Sequence, residues 1–277
     1  MAGQLFVVAT PIGNLADITL RAIETLKAVD LIAAEDTRTS GVLLSRHGIA
    51  TATIALHEHN EEAAARRLLA ELQAGKSVAL ISDAGTPLIS DPGYRLLRLL
   101  RAEGVEIHPI PGACSPIVAL SAAGLPTDQF AFLGFPPRAG GARTALLEQI
   151  AGMKMTAILL ESPNRLLDTL KELAPHMQPG RELCVARELT KLYETFVNGP
   201  VEVLIDHFTA TPPRGEIVLL IGPAPHDWRR EVSDAELLAA MAAPEFAAMP
   251  PSARAKAVAK RFAVERDRVY ALAMGQR

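Results

Sequence analysis

Ser82, Asp83, Ala84, Gly85, Thr86 and Pro87, followed by Ser90, Asp91, Pro92 and Gly93, are the residues whose types and spacing point most directly to chemistry. They follow an apolar run, Ser77-Val78-Ala79-Leu80-Ile81, that reads as a buried strand, and they precede a helical pattern from Tyr94 to Arg101. Small residues, prolines and a Ser-Asp-Pro-Gly turn cannot continue a helix. The loop therefore exposes backbone groups at the carboxyl end of a strand, which in an open α/β sheet is where ligands bind. A second loop of similar character, Thr10-Pro11-Ile12-Gly13-Asn14-Leu15, follows the apolar run Leu5 to Ala9. The two loops predict one shared small-molecule site rich in main-chain groups.

Other chemistries lack their residues. A dinucleotide site needs Gly-x-Gly-x-x-Gly after the first strand, and Thr10 to Asn14 does not supply it. Glu35 and Asp36 end the second strand, where a ribose-binding acid would stand, but without those glycines. Neither a Walker-type glycine loop nor a Gly-x-Ser-x-Gly elbow is present. The seven histidines include no metal-type pair; His57 and His59 are two apart. Cys114 and Cys184 are far apart and predict buried reduced thiols rather than a disulfide or a zinc site.

The elements that must position these loops alternate along the 277 residues. Strands are expected at Leu5 to Ala9, Asp30 to Ala34, Thr51 to Leu56, Ser77 to Ile81 and Val105 to Ile110. Helices are expected at about Thr19 to Ala28, Arg38 to His47, Glu61 to Ala74 and Tyr94 to Glu103, with an Ala-rich helix opened by Pro111-Gly112-Ala113-Cys114-Ser115-Pro116. Phe130 to Phe135 starts a second α/β region. Its further strands are Thr156 to Glu161, Leu183 to Glu188, Tyr193 to Asn198 and Glu216 to Ile221. The strand, loop, helix order up to Gly124 argues a mainly parallel sheet with helices on both faces. The expected division is an N-terminal α/β domain (1–125), a C-terminal α/β domain (126–225) and a basic helical tail (226–277). In the tail, Ser233-Asp234-Ala235-Glu236 fits a capping box.

Hydrophobic residues make up 49% and charged residues 21%, a globular balance. No apolar run is long enough to span a bilayer, and the N-terminal residues lack a signal-type pattern, so a cytoplasmic protein is expected. The net charge of −3 gives no bulk attraction for nucleic acid; such binding must use a local basic patch.

Seven ordered motifs resemble the ribosomal RNA small subunit methyltransferase I family, within the tetrapyrrole-methylase-like superfamily. They are Thr10 to Leu15, Ala34-Glu35-Asp36-Thr37-Arg38, Ser82 to Pro87, Ser90 to Gly93, Pro111 to Pro116, Glu161-Ser162-Pro163-Asn164-Arg165 and Arg187-Glu188-Leu189-Thr190-Lys191. The resemblance runs from Leu5 to Ile221, and the basic tail fits it. It implies two α/β domains with S-adenosylmethionine between them, 2′-O-methylation of a cytidine ribose in the decoding centre of 16S rRNA, and a homodimer.

Carried over residue by residue, the resemblance places Pro11, Asp83, Ala84, Gly85, Thr86, Ser115, Glu161, Arg187 and Ile217 at the cofactor. Ala84-Gly85-Thr86-Pro87 stands where the superfamily has Gly-Gly-Asp-Pro. Thr86 thus replaces an acid, for which Asp83 is the candidate substitute. Methyl transfer needs an in-line arrangement, so positioning should carry much of the acceleration. A ribose hydroxyl reacts more readily once its proton is accepted. Asp36, Glu188 and Lys191 are the candidate catalytic groups, Lys191 only if burial lowers its pKa.

For RNA, Arg138 and Arg143 in a Pro/Gly-rich loop, Arg38 and Arg165 in other loops, and Lys256, Lys260 and Arg261 in the tail are the candidate strip. Taken singly, these residues also suit plain roles: Gly85 as a turn former, Asp83 and Ser115 as helix caps, Arg38 and Arg165 as ion-pair partners. Two rival functions remain open at this point. One is a methylase of this fold acting on a tetrapyrrole or another small molecule; the other is a non-catalytic ribosome-binding module.

Overall fold

The computed structural model describes residues 3–56, 61–91, 93–225, 233–247, 249–262 and 264–275. Pro92, His57 and His59, singled out above, lie outside the described residues. The chain separates into two compact units, Met1–Pro223 and Ala224–Arg277.

The first unit holds two five-stranded sheets. The first is built from β1 (Gln4–Val8), β2 (Leu31–Ala34), β3 (Thr53–Ala55), β4 (Val78–Ile81) and β5 (Glu106–Ile110), in the order β3-β2-β4-β1-β5. Every pairing in it is parallel. Strands buried on both faces read as continuous apolar runs, as β2 and β4 do. Leu5, Ala33, Val78 and Leu80 face α3 (Glu61–Gln73) and α4 (Tyr94–Ala102), which contribute Leu68, Leu72, Leu96 and Leu100. Val8, Ile32, Ala79 and Ile81 face α1 (Leu20–Ala28) and α2 (Thr37–Arg46), through Ala22, Leu26 and Leu44.

The first sheet is parallel as expected, whereas the second sheet is mixed. It orders β6 (Phe130–Phe132), β7 (Thr156–Glu161), β8 (Leu183–Arg187), β9 (Thr195–Gly199) and β10 (Ile217–Ile221) as β6-β7-β10-β8-β9. Only β6 and β7 pair in parallel. The short link between β8 and β9 has no room for a crossover helix, so those strands must run antiparallel. β10 enters between β7 and β8 in the opposite sense to both.

One face of this sheet packs on α6 (Gly141–Ala151), α7 (Pro163–Leu173) and α8 (Val201–Ala210). Its other face, with Ile158, Cys184, Ala186, Val218 and Leu220, packs on α5 (Ser115–Ala122) and on Ile12 from the first loop. This shared apolar cluster joins the two sheets into one body. Burial pushes the Cys184 thiol up to about 11, which makes it an inert packing residue.

In the second unit, α9 (Asp234–Ala242), α10 (Pro244–Ala247), α11 (Pro251–Phe262) and α12 (Arg266–Met274) surround Leu237, Met241, Ala255, Val258 and Val269. The Ser233 capping box forms, with Ser233 accepting from the Glu236 amide and Glu236 reaching back to the Ser233 amide. No described helix is long and apolar enough to cross a membrane.

Candidate active site

The loops after β1 and β4 are locked to each other. Thr10 and Gly85 exchange amide-to-carbonyl bonds of 2.8 and 3.1 Å, and the Thr10 hydroxyl donates to the Ser82 carbonyl at 3.1 Å. Gly85 has φ +82, the left-handed region that favours glycine, and a Cβ there would sit 3.2 Å from Ile12. Thr86 donates to the Ala113 carbonyl at 3.0 Å, tying this turn to the loop that opens α5.

Against these loops the second sheet closes a cavity of about 400 Å³, within the range of small-molecule sites. Ile12, Ile89, Phe135, Leu160, Leu189, Ile217 and Val218 form its apolar wall; Ala84, Ser90, Asp91, Ser115, Glu161, Ser162, Pro163, Gly215 and Glu216 complete it. Ile12, Leu189 and Val218 also belong to the cluster joining the two sheets, so the cavity opens where that packing ends. Beside it lies a groove of about 510 Å³ with Pro11, Gly13, Asp83 and Lys191 in its wall, sharing Ile12, Ala84 and Glu216 with the cavity.

Of the residues expected at the cofactor, Ala84, Ser115, Glu161 and Ile217 line the cavity, while Pro11 and Asp83 line the groove. Gly85 and Thr86 shape the turn and are absent from both walls. Arg187 is used elsewhere, bonding the Thr195 hydroxyl at 3.1 Å and the carbonyls of Arg214 and Tyr193 at 3.3 Å each. Glu161 is 2% exposed; its carboxylate accepts from the Ser162 amide at 2.8 Å and the Thr169 hydroxyl at 2.6 Å.

The three candidate proton acceptors are all shifted away from neutrality. Asp36 caps α2 and is held down at about 2, chiefly by its hydrogen bond from Arg38. The Glu216 amide, then Lys191, hold Glu188 below its usual value. Burial pulls Lys191 down, but bonds to Glu188 (3.0 Å) and Glu216 (3.2 Å) outweigh it, leaving the ammonium above its usual value. The condition on which Lys191 could act as a base is not met.

The strip expected for RNA divides. Arg38 (side chain 89% exposed) and Arg138 are exposed, and Lys256 and Lys260 are exposed four residues apart on α11. Arg143 is a correction: it is 5% exposed and spends its guanidinium on Glu172 (2.6 Å), Thr169 (2.9 Å) and the Pro137 carbonyl (3.1 Å). Arg165 is half-buried and holds the Pro136 and Pro137 carbonyls. Arg261 pairs with Glu245 at 2.7 Å and lies over Phe246.

Residues 4–205 match the family described as Tetrapyrrole (Corrin/Porphyrin) Methylases. A Ribosomal RNA small subunit methyltransferase I from Mesorhizobium japonicum is 47% identical, over 96% of this chain and 90% of that protein. Its counterpart from Escherichia coli O157:H7 is 45% identical, over 99% and 96%. The chain belongs to the ribosomal RNA small subunit methyltransferase I family. As a member of that family it is a methyltransferase. The fold is also that of uroporphyrin-III C-methyltransferase from Thermus thermophilus, a structure complexed with S-adenyl homocysteine. That match has a TM-score of 0.58 and 21% identity, over 79% of this chain and 97% of the other.

Sequence reasoning missed part of the cavity wall in this family member: Phe135, Leu160, Gly215 and Val218. Gly215 carried a readable signal, a glycine just before a strand. At φ +81 it clears the Glu188 carboxylate, onto which any Cβ would fall.

Proposed function

We propose that the protein uses S-adenosylmethionine to methylate a cytidine ribose 2′-hydroxyl in the decoding centre of 16S rRNA, in the cytoplasm and as a homodimer. The observation that carries this reading is the cavity of about 400 Å³, formed by the same loops that carry the family's motifs. Its mixed lining suits a ligand with an adenine, an amino-acid end and a sulfonium; no phosphate cradle is needed. When bound, the cofactor supplies the electrophilic methyl group.

The chain's own residues do the rest. Ile12, Leu189 and Val218 exclude water from one wall, and Ser115, at the start of α5, offers a hydroxyl to a polar group. The groove with Pro11, Asp83 and Lys191 receives the nucleotide. There the Lys191 ammonium stays charged and stabilises the ribose oxygen as its hydroxyl proton passes to solvent water. Arg38 and Arg138 supply phosphate contacts beside the cleft, and Lys256 and Lys260 supply them from the tail. Exposed apolar side chains such as Leu20 and Leu192 support self-association.

The test is methyl transfer from labelled S-adenosylmethionine to isolated small ribosomal subunits and, separately, to a porphyrinoid. Nuclease digestion and mass spectrometry should find the label in 2′-O-methylcytidine. Label in the porphyrinoid alone would overturn the substrate assignment.

A further inference from the structure

The carboxylates around the cleft fall into two groups. Asp36 is paired with Arg38 at 2.7 Å, Glu161 with Arg165 at 3.5 Å, and Glu188 and Glu216 share Lys191. Glu35, Asp83 and Asp91 form the second group, and no ion pair reaches them among the described residues. Asp83 accepts the Asp36 amide at 2.9 Å, and its own amide points to Glu35 at 3.5 Å. Arg38 lies within electrostatic reach of Asp83 but is bonded to Asp36. Of the three, Asp91 is the one in the cavity wall.

Asp91 is set there at a cost. Leu88 and Ser90 adopt φ of +76 and +71, a region that side-chain-bearing residues avoid. Burial first, then the charges of Glu35 and Asp83, push its carboxyl up to about 6, against a lowering bond from Ser82. Burial likewise pushes Glu35 up, with Asp83 and Asp36 adding to it against a bond from the Asp83 amide. Among the described residues this set of like charges, with Glu35 and Asp91 partly buried, has no counter-ion, and a cation brought to it would stabilise the ionised carboxylates. Glu161, also in the cavity wall, faces Arg165 at 3.5 Å, while Glu216 and Glu188 share the single charge of Lys191.

We propose that Asp91 is a specificity-determining residue that reads a positive charge on the bound methyl donor. This rests on the cavity being the S-adenosylmethionine site. The donor carries a sulfonium and an ammonium; its demethylated product, S-adenosylhomocysteine, keeps only the ammonium. A cation beside Asp91 stabilises the carboxylate, so binding expels a proton wherever Asp91 is protonated in the free protein. Donor affinity therefore rises with pH through about 6 and levels off above it.

Calorimetric titration of the full-length protein and its Asp91→Asn variant, with S-adenosylmethionine and with S-adenosylhomocysteine, tests this. In the unaltered protein, donor affinity at about pH 5 should be about tenfold weaker than at about pH 7. Asp91→Asn should flatten the profile while leaving the circular dichroism spectrum unchanged. Dependence for the donor alone assigns the sulfonium; dependence for both ligands assigns the ammonium. A flat profile in the unaltered protein, or the same slope in the variant, overturns the proposal. No binding at any pH overturns the site reading itself and this proposal with it.

Discussion

Ala84 is the small side chain common to the cavity and the groove, whereas Gly85 beside it is buried in the turn. The two therefore separate binding from stability. Ala84→Phe should cost at least tenfold in S-adenosylmethionine affinity, read by calorimetry, with the melting temperature nearly unchanged. Gly85→Val forces a β-branched residue to φ +82 against Ile12 and should cost about 1–3 kcal/mol of stability in denaturant titration. Asp91 has a stability signature of its own. Its folded-state pKa lies above the unfolded value, so its contribution is most favourable at acid pH and is lost as pH rises through about 6. Ligand-free Asp91→Asn should accordingly melt higher than the unaltered protein at about pH 7.5. That gap should close at about pH 4, where both side chains are neutral.

At the scale of elements, Arg143 shows why a basic loop residue need not face solvent. It sits on α6 and spans to Thr169 and Glu172 on α7, so it clamps two helices. Arg143→Ala should cost about 1–3 kcal/mol in thermal or denaturant unfolding, through unmet partners, with RNA affinity unaffected. Arg138→Ala should do the reverse in a filter-binding assay. Charge in the sequence could not distinguish the two, because the deciding contact is 29 residues away. The strands and helices of the first sheet were legible, since parallel strands buried on both faces leave continuous apolar runs between Gly- and Pro-marked turns. The sense of β10 was not, because an inserted antiparallel strand has the same apolar run as a parallel one. The motif loops were legible as a site from their turn residues at strand ends. The far wall was not: Phe135, Leu160 and Val218 reach the cavity only through packing that composition does not encode.

At the scale of the whole molecule, the acidic balance of the chain confines RNA attraction to exposed local charge. Removing residues 228–277 should weaken rRNA binding and reduce its salt slope, while S-adenosylmethionine affinity stays within about twofold; equal loss of both would deny the tail its role. The central claim is that the methyl donor occupies the cavity between the two sheets of the first unit. Crystals grown with S-adenosylhomocysteine test it most directly. The account predicts ligand density bounded by Ala84, Ser115 and Ile217, with Asp91 in the wall. Density for the ligand at any other place on the protein, with this cavity empty, would contradict it.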